Sequence, residues 1–284
     1  MPRRPRSRWS AILFHMVGML IMAACLIPLL WVVAASLRAP GLPPARSLEW
    51  WPPGAHWDNY TELFRIVPMG RYMLNSLIVV VIAVPITLFV AFLAGFGMSQ
   101  LGTAWRQRML VTSVALLLIP GMAIWTLRFY VLNALGLIDS LAALIVPAVA
   151  GGNPLFILLF YWACWRIPPD LYESARLEGA GAWKVWCCIS RPLVWPTTAA
   201  VMVLAFALYW SDFTTPVLYI FSPDLYTLPI GLQLVRQMDA TNLPLLMAGS
   251  VLMIAPVVVL FLGLQQRFLN NLSFSESKDI NQDC

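Results

Sequence analysis

The chain has 284 residues, of which 60% are hydrophobic and only 11% charged. A soluble domain carries roughly 25% charged and about 45–50% apolar residues, so this composition, with a mean hydropathy of +0.77, belongs in a bilayer and leaves no room for a large soluble domain. The net charge of +5 would suggest a nucleic-acid partner for a soluble protein. Here the basic residues flank apolar runs, where they set orientation in a membrane, so lipid is the expected partner and nucleic acid is not.

Residues 1–10 form a short N-terminus carrying Arg3, Arg4, Arg6 and Arg8, and an apolar run, Ala11–Ser36, follows it. That run is too long for the roughly 7–15-residue core of a signal peptide and reads as an uncleaved first helix over 11–36. The loop over 37–73 is rich in Pro, Trp and Tyr; Trp50, Trp51, Trp57 and Tyr60 suit an interfacial belt or contact with a soluble partner. Further candidate spans are Leu74–Gly97, Met109–Leu132, Gly152–Ile167, Val194–Ile220 and Leu245–Gln265. Each approaches the roughly 20 apolar residues that a crossing helix needs, and none alternates as a strand does, so the expectation is an all-α membrane protein with six transmembrane helices. Leu141–Ala150 is too short to cross alone and reads as a partial insertion. A polar tail, 267–284, ends the chain.

With the N-terminus inside, the segments on that side also hold Arg106, Arg108, Arg166, Arg176, Lys184, Arg191, Arg267 and Lys278. The other side holds Arg38, Arg46, Arg65, Arg71, Arg128 and Arg236. Twelve basic residues against six predict that both termini are cytoplasmic.

The most informative segment lies between the fourth and fifth spans, within 168–192. Pro168 and Pro169 end the preceding helix. Asp170 and Glu173 have the spacing of a capping box that opens a new short helix, and Gly179 is placed to close it with a left-handed cap. A second short helix over Ala182–Ile189, ended by Pro192, completes a knob on the cytoplasmic side. Ser174 and Ala175 are small, so another protein can approach closely.

Glu173-Ser174-Ala175, Gly179 six residues after Glu173, then Ile189, Pro192-Leu193 and Pro196 resemble the EAA loop of binding-protein-dependent ABC importer permeases. Asn75-Ser76, Ile119-Pro120-Gly121, Gly136-Leu137, Trp210, Asp212-Phe213, Pro216 and Thr227 to Leu232 extend the likeness to the smaller, maltose-permease-type subunit of carbohydrate importers. The resemblance implies the type I ABC importer permease fold, with a cytoplasmic coupling helix inside a permease domain over 74–266. It further implies that Glu173, Ala175, Arg176, Glu178, Gly179 and Ala180 meet the ATPase. The implied partners are a homologous permease completing the pore, two ABC ATPase subunits and an extracytoplasmic solute-binding protein. Ser174 and Glu178 replace the family's usual alanine and aspartate, and the tail from Asn270 lacks the subgroup's Gly-rich basic ending.

The chain has no G-x-x-x-x-G-K-[ST], so ATP belongs to a partner chain and no cofactor is expected here. It has no H-E-x-x-H or G-x-S-x-G, so no catalytic residue is expected either. Two distant histidines, His15 and His56, and cysteines without CxxC spacing leave no candidate metal site. Asp212 is a costly acid in an apolar span, which either lines the path or bonds a neighbour. Tyr209 and Trp210 either stack on a sugar face or pack in the core. Asn153, beside Gly151, Gly152 and Pro154, marks a helix interruption whose backbone can face a cavity. The solute expected is small and polar, a carbohydrate first, with a polyol or glycerol phosphate as the alternative. Rivals from other classes are an ion-coupled secondary transporter and a structural membrane scaffold, but no internal repeat is evident and the knob would go unused.

Overall fold

The computed structural model describes residues 8–43, 52 and 54–280, with side chains described over 12–43, 52 and 54–265. Arg3, Arg4, Arg6, Arg46, Trp50, Trp51 and Cys284 lie outside the described residues. The same holds for the side chains of Arg8, Arg267 and Lys278. Among the described residues every regular element is a helix. Four helices are long and apolar enough to cross a membrane, or up to six if each of two sharply bent pairs counts as one span.

The chain divides into two compact units. The first comprises Met1–Pro68 and Leu232–Ile254. Helix α1 (Arg8–Ser36) is apolar throughout and continues past Pro28. The loop after it is not featureless, because α2 (Asp58–Ile66) forms there and buries Asn59 and Leu63. The Asn59 amide donates to the carbonyls of Ser36 at 2.9 Å and Arg38 at 2.8 Å. The first is a carbonyl that a helix end leaves without an intrahelical donor and the second lies just past that end, so one buried amide fixes how the chain leaves α1.

The second unit comprises Met69–Gly231 and Ala255–Cys284. Its centre is α3 (Met69–Gln100), which starts at Met69 rather than at the expected Leu74 and is 32 residues long. The third expected span, Met109–Leu132, is instead two helices, α4 (Thr103–Leu117) and α5 (Gly121–Ala134), bent by 95°. Pro120 stands at the break in an extended conformation and cannot donate a backbone bond across it.

Leu141–Ala150 is not a separate partial insertion. It joins the following helix in a single apolar candidate span, Leu141–Trp165, made of α6 (Leu141–Ile145), a 3-10 turn (Val146–Ala150) and α7 (Pro154–Trp165). The span therefore begins eleven residues before the expected Gly152. Gly151 and Gly152 interrupt it with φ of 81° and 69°, a region that costs a residue with a Cβ. Helix α7 packs along α3, with the Phe92 and Phe160 rings stacked at 4.8 Å.

The fifth expected span, Val194–Ile220, is likewise interrupted. Helix α11 (Trp195–Trp210) gives way, after three residues, to α12 (Thr214–Tyr219). Leu132, Ala143, Leu144, Tyr219 and Ile220 form a second buried cluster against Val79 of α3. After α13 (Leu228–Met238), α14 runs Leu243–Ile280, well beyond the expected Gln265.

Candidate functional site

The knob starts directly behind α7. Helix α8 spans Pro169–Leu177, with Pro168 as N-cap. The expected capping box does not form, since no side chain caps this helix. Asp170 already lies in the first turn, where a carboxylate favours the helix dipole. Pro169 at the first helical position carries the right φ and lacks the N–H that would need a partner.

The end of α8 is as the glycine suggested. Gly179 has φ of 78°, its N–H donates to Arg176 O at 2.9 Å, and the Ala180 N–H donates to Ala175 O at 2.9 Å. That pair of bonds is a Schellman cap. Glu173, Arg176, Glu178 and Gly179 are exposed, and Ala175 and Ala180 are half-buried. Leu177 is 90% exposed, an apolar side chain held out at the tip.

Tyr172 is the buried residue of this helix. Its hydroxyl donates to Cys164 O at 3.3 Å and lies 3.2 Å from Ser190 Oγ. Arg176 donates to the Gln100 side-chain oxygen at 2.6 Å, tying the knob to the end of α3. A cavity of about 380 Å³ lies beneath, lined by residues including Gln100, Trp165, Tyr172, Glu173 and Arg176. Arg106 stands over the Trp165 ring at 4.0 Å, which fixes the start of α4 to the end of α7 by a cation–π contact.

The return path differs from the expected helix over Ala182–Ile189. It consists of α9 (Ala182–Val185), a π turn (Trp186–Ser190) and α10 (Arg191–Leu193), so Pro192 sits inside a helix rather than ending it. The break comes at Val194, ahead of α11 (Trp195–Trp210), with a bend of 79°. In α geometry the Pro192 ring would clash with the Cys188 carbonyl. The π register, in which Arg191 N donates to Trp186 O, widens the helix there and removes the conflict.

The pore candidates lie in the second unit at two interruptions. Asn153 caps α7, its side-chain oxygen accepting from Leu155 N at 2.9 Å. Asp212 lies between α11 and α12 and accepts from Thr215 N at 3.1 Å, so this acid has a backbone partner. The Tyr209 hydroxyl is 2.9 Å from that of Thr87, and a Cβ on Gly152 would come within 3.0 Å of it. Tyr209 thus joins α11, α3 and the glycine interruption. Trp210 is 3% exposed and stacks on Phe206 at 5.7 Å.

Thr87, Gln100, Tyr172 and Ser190 did not stand out as site residues in the sequence. The partners of Thr87 and Gln100 lie 122 and 76 residues away, and for Tyr172 and Ser190 only the nearby proline pair signals that a carbonyl there needs a donor. No group of His, Cys, Asp and Glu able to hold a metal occurs among the described residues.

The family described as binding-protein-dependent transport system inner membrane component matches residues 60–273. The chain belongs to that family. This inner membrane component is 27% identical over 248 residues to the sulfoquinovosyl glycerol transport system permease protein SmoH of Agrobacterium fabrum, with 87% of each chain covered. It is 29% identical over 218 residues to the arabinooligosaccharides transport system permease protein AraQ of Bacillus subtilis, covering 76% of this chain and 77% of that one. The melibiose/raffinose/stachyose import permease protein MelC of Bacillus subtilis is 24% identical over 260 residues, covering 91% and 93%.

A solved bacterial ABC transporter involved in the import of the acidic polysaccharide alginate contains a chain of the same fold. It superposes with a TM-score of 0.69 at 18% identity, covering 94% of this permease and all of that chain. The permease fold of an ABC importer, in a multi-pass protein of the inner membrane, is therefore established. A binding-protein-dependent system leaves neither the ion-coupled transporter nor the passive scaffold as a reading.

Proposed function

We propose that this permease forms one half of the pore of an ATP-driven carbohydrate importer. A homologous permease supplies the other half. Of two ABC ATPase subunits, one docks on α8 and the other on the partner permease, and a solute-binding protein delivers the sugar from outside, with both chain termini cytoplasmic. The observation that carries the coupling role is the form of α8: short, exposed along Glu173, Arg176 and Glu178, tipped by Leu177, and closed by the Schellman cap at Gly179. Such a helix offers charged and apolar groups at once to a groove on another chain. The relatives support the substrate class, since their names specify sugar oligomers and a sugar glycoside. Asp212 and Tyr209 are proposed to line the path, with Asn153 shaping the interruption beside them and Trp210 holding α11 in place.

The test is Gly179→Asp in the assembled complex. The left-handed conformation costs a residue with a Cβ roughly 1–2 kcal/mol, and among the described residues nothing beyond the two flanking ones lies within 4 Å of where that Cβ would be. The Cβ itself has open space in this chain, so a collision there would be with a docked partner. Membrane vesicles should lose retention of the ATPase and uptake of labelled raffinose, arabinooligosaccharide or sulfoquinovosyl glycerol, whichever the parent transports, while the permease still inserts. Glu173→Ala should be milder, losing at most a charge-assisted bond of about 1.5–3 kcal/mol. Parental transport and ATPase retention with Gly179→Asp would end this assignment.

A further inference from the structure

Tyr172 is the point where the knob meets three other elements. Its ring lies edge-on to Phe96 of α3 at 6.3 Å. Its hydroxyl reaches the Cys164 carbonyl on α7 and the Ser190 hydroxyl in the π turn. The reason a tyrosine can bind there lies in the proline pair. In a continuing helix Cys164 O would accept from residue 168, and Pro168 has no N–H to give. The carbonyl receives Ile167 N at 3.3 Å and keeps a second lone pair, which the phenol takes.

The phenol has one proton. When it is given to Cys164 O, the bond to Ser190 must run from Ser190 Oγ–H to the Tyr172 oxygen. The three groups then form a directed relay from the π turn through α8 to α7. Burial holds the Tyr172 hydroxyl above its ordinary pKa, so it stays a donor at working pH. Ser190 is fully buried, and no water competes for the bond from its side. The π turn is a rare register, used in single turns and often where function requires it, and its Trp186 packs on Phe92 of α3 at 5.1 Å.

We propose that Tyr172, resting on the coupling role of α8 given above, is the positioning residue that passes movement of the knob into the membrane. The phenol pulls the π turn through Ser190 and the end of α7 through Cys164 O. The ring, seated on Phe96, is the pivot on α3. Arg176 and Gln100 hold the knob's outer edge to the same helix but leave the π turn untouched, so Tyr172 is the contact that joins all three.

The test uses the permease with its co-purifying ATPase, in a background free of native cysteine. Cys164→Ala retains the backbone carbonyl that the phenol needs. A single reporter cysteine replaces Leu135, which is 61% exposed. Its maleimide labelling rate is read with and without ATP plus vanadate, beside ATP hydrolysis. Tyr172→Phe keeps the ring and removes one oxygen, and Ser190→Ala removes the other end of the relay. Each is expected to assemble in parental amounts and hydrolyse ATP near the parental rate. The labelling response to trapping should fall about fivefold, the effect of roughly 1 kcal/mol. The double variant should be no worse than Tyr172→Phe alone, because the phenol takes part in both bonds of the relay.

A parental response in both singles would overturn the proposal, as would a double loss equal to the product of the single losses. A loss explained by less assembled complex would overturn it too, because it would assign the phenol to folding alone. A parental complex whose reporter ignores ATP and vanadate would instead overturn the coupling role of α8 itself, and the relay with it.

Discussion

Gly95→Ala should weaken the pair of helices that anchors the second unit, although alanine is the better helix former. Helix α3 meets α7 at this glycine with almost no clearance. A Cβ built there would lie 2.6 Å from Tyr161 N, 2.7 Å from Phe160 Cβ and 2.8 Å from Ile157 O. Carbon atoms in good contact sit about 3.5–4.0 Å apart, so α7 would have to retreat by about 1 Å. Two of the three obstacles are backbone atoms and cannot rotate away. The retreat would open the Phe92–Phe160 stack, now at 4.8 Å, and loosen Tyr161 and Leu158 from Met98. Overpacking of this kind costs typically 1–3 kcal/mol, against at most about 1 kcal/mol regained from helix propensity. The assay is thermal unfolding of the purified complex followed by tryptophan fluorescence, where a loss of 1–2 kcal/mol lowers Tm by about 2–8 °C for a chain near this size. Gly97→Ala, two residues on in the same helix, is the control, since nothing lies within 4 Å of its Cβ; it should be neutral or slightly stabilising. Equal melting of the two variants would refute the close-packing argument.

Asp139→Asn should loosen the connection between α5 and α6 from the chain after α12. Asp139 accepts from the Ser222 hydroxyl and from Ser222 and Phe221 N–H, and those bonds, the hydroxyl first, hold its pKa below the usual value. A lowered carboxylate pKa stabilises the fold above the ordinary carboxylate range and loses that contribution as pH falls through the lowered value, so the parent's extra protection from proteolysis near residues 219–222 should vanish on acidification and be absent from the variant at neutral pH. Asp212→Asn retains an oxygen for Thr215 N and removes the charge, so the complex should assemble while uptake of the parent's sugar falls; unchanged uptake kinetics would take Asp212 out of the path. In a cysteine-free background, Gly54→Cys and Phe221→Cys should label with an impermeant thiol reagent in intact spheroplasts and Thr103→Cys and Ser275→Cys should not, whereas labelling of the second pair alone would invert the orientation.

What was legible in the sequence is what depends on composition and on local backbone rules. The apolar runs announced the membrane, and Gly179 announced the end of α8, because a left-handed cap needs a residue without a Cβ. The bends were harder to read. Pro120 and Pro28 look alike in apolar runs, yet one stands at a 95° break and the other inside a continuous helix, so a proline in such a run does not by itself say whether the helix breaks. The capping box failed because Pro169 moved the helix start one residue ahead of Asp170. The π turn was invisible, because side-chain periodicity does not report which carbonyl each N–H chooses. Long-range pairs were beyond reach for a plainer reason: Arg176 finds Gln100 across 76 residues and Asp139 finds Ser222 across 83, and nothing local encodes either meeting.

Within the second unit, tight packing and interruption fall on different elements, and the division bears on how such a permease can move. The face of α7 from Phe156 to Cys164 is locked to α3 by the glycine contact and by stacked rings, so these two helices shift together or not at all. The breaks lie elsewhere: after Leu117, at Gly151 and Gly152, at Val194 and at Ser211 to Phe213. Each is capped or bridged by a side chain or proline that tolerates a change of angle more easily than a packed interface does, because interfaces repack in steps while a break only pivots. The knob touches the locked pair at one end of each helix, through Gln100 on α3 and Cys164 on α7. On the coupling role proposed for α8, a push there reaches a rigid lever, and α11 and α12 follow it through Tyr209 on Thr87 and Tyr219 beside Val79, the contacts that tie them to α3.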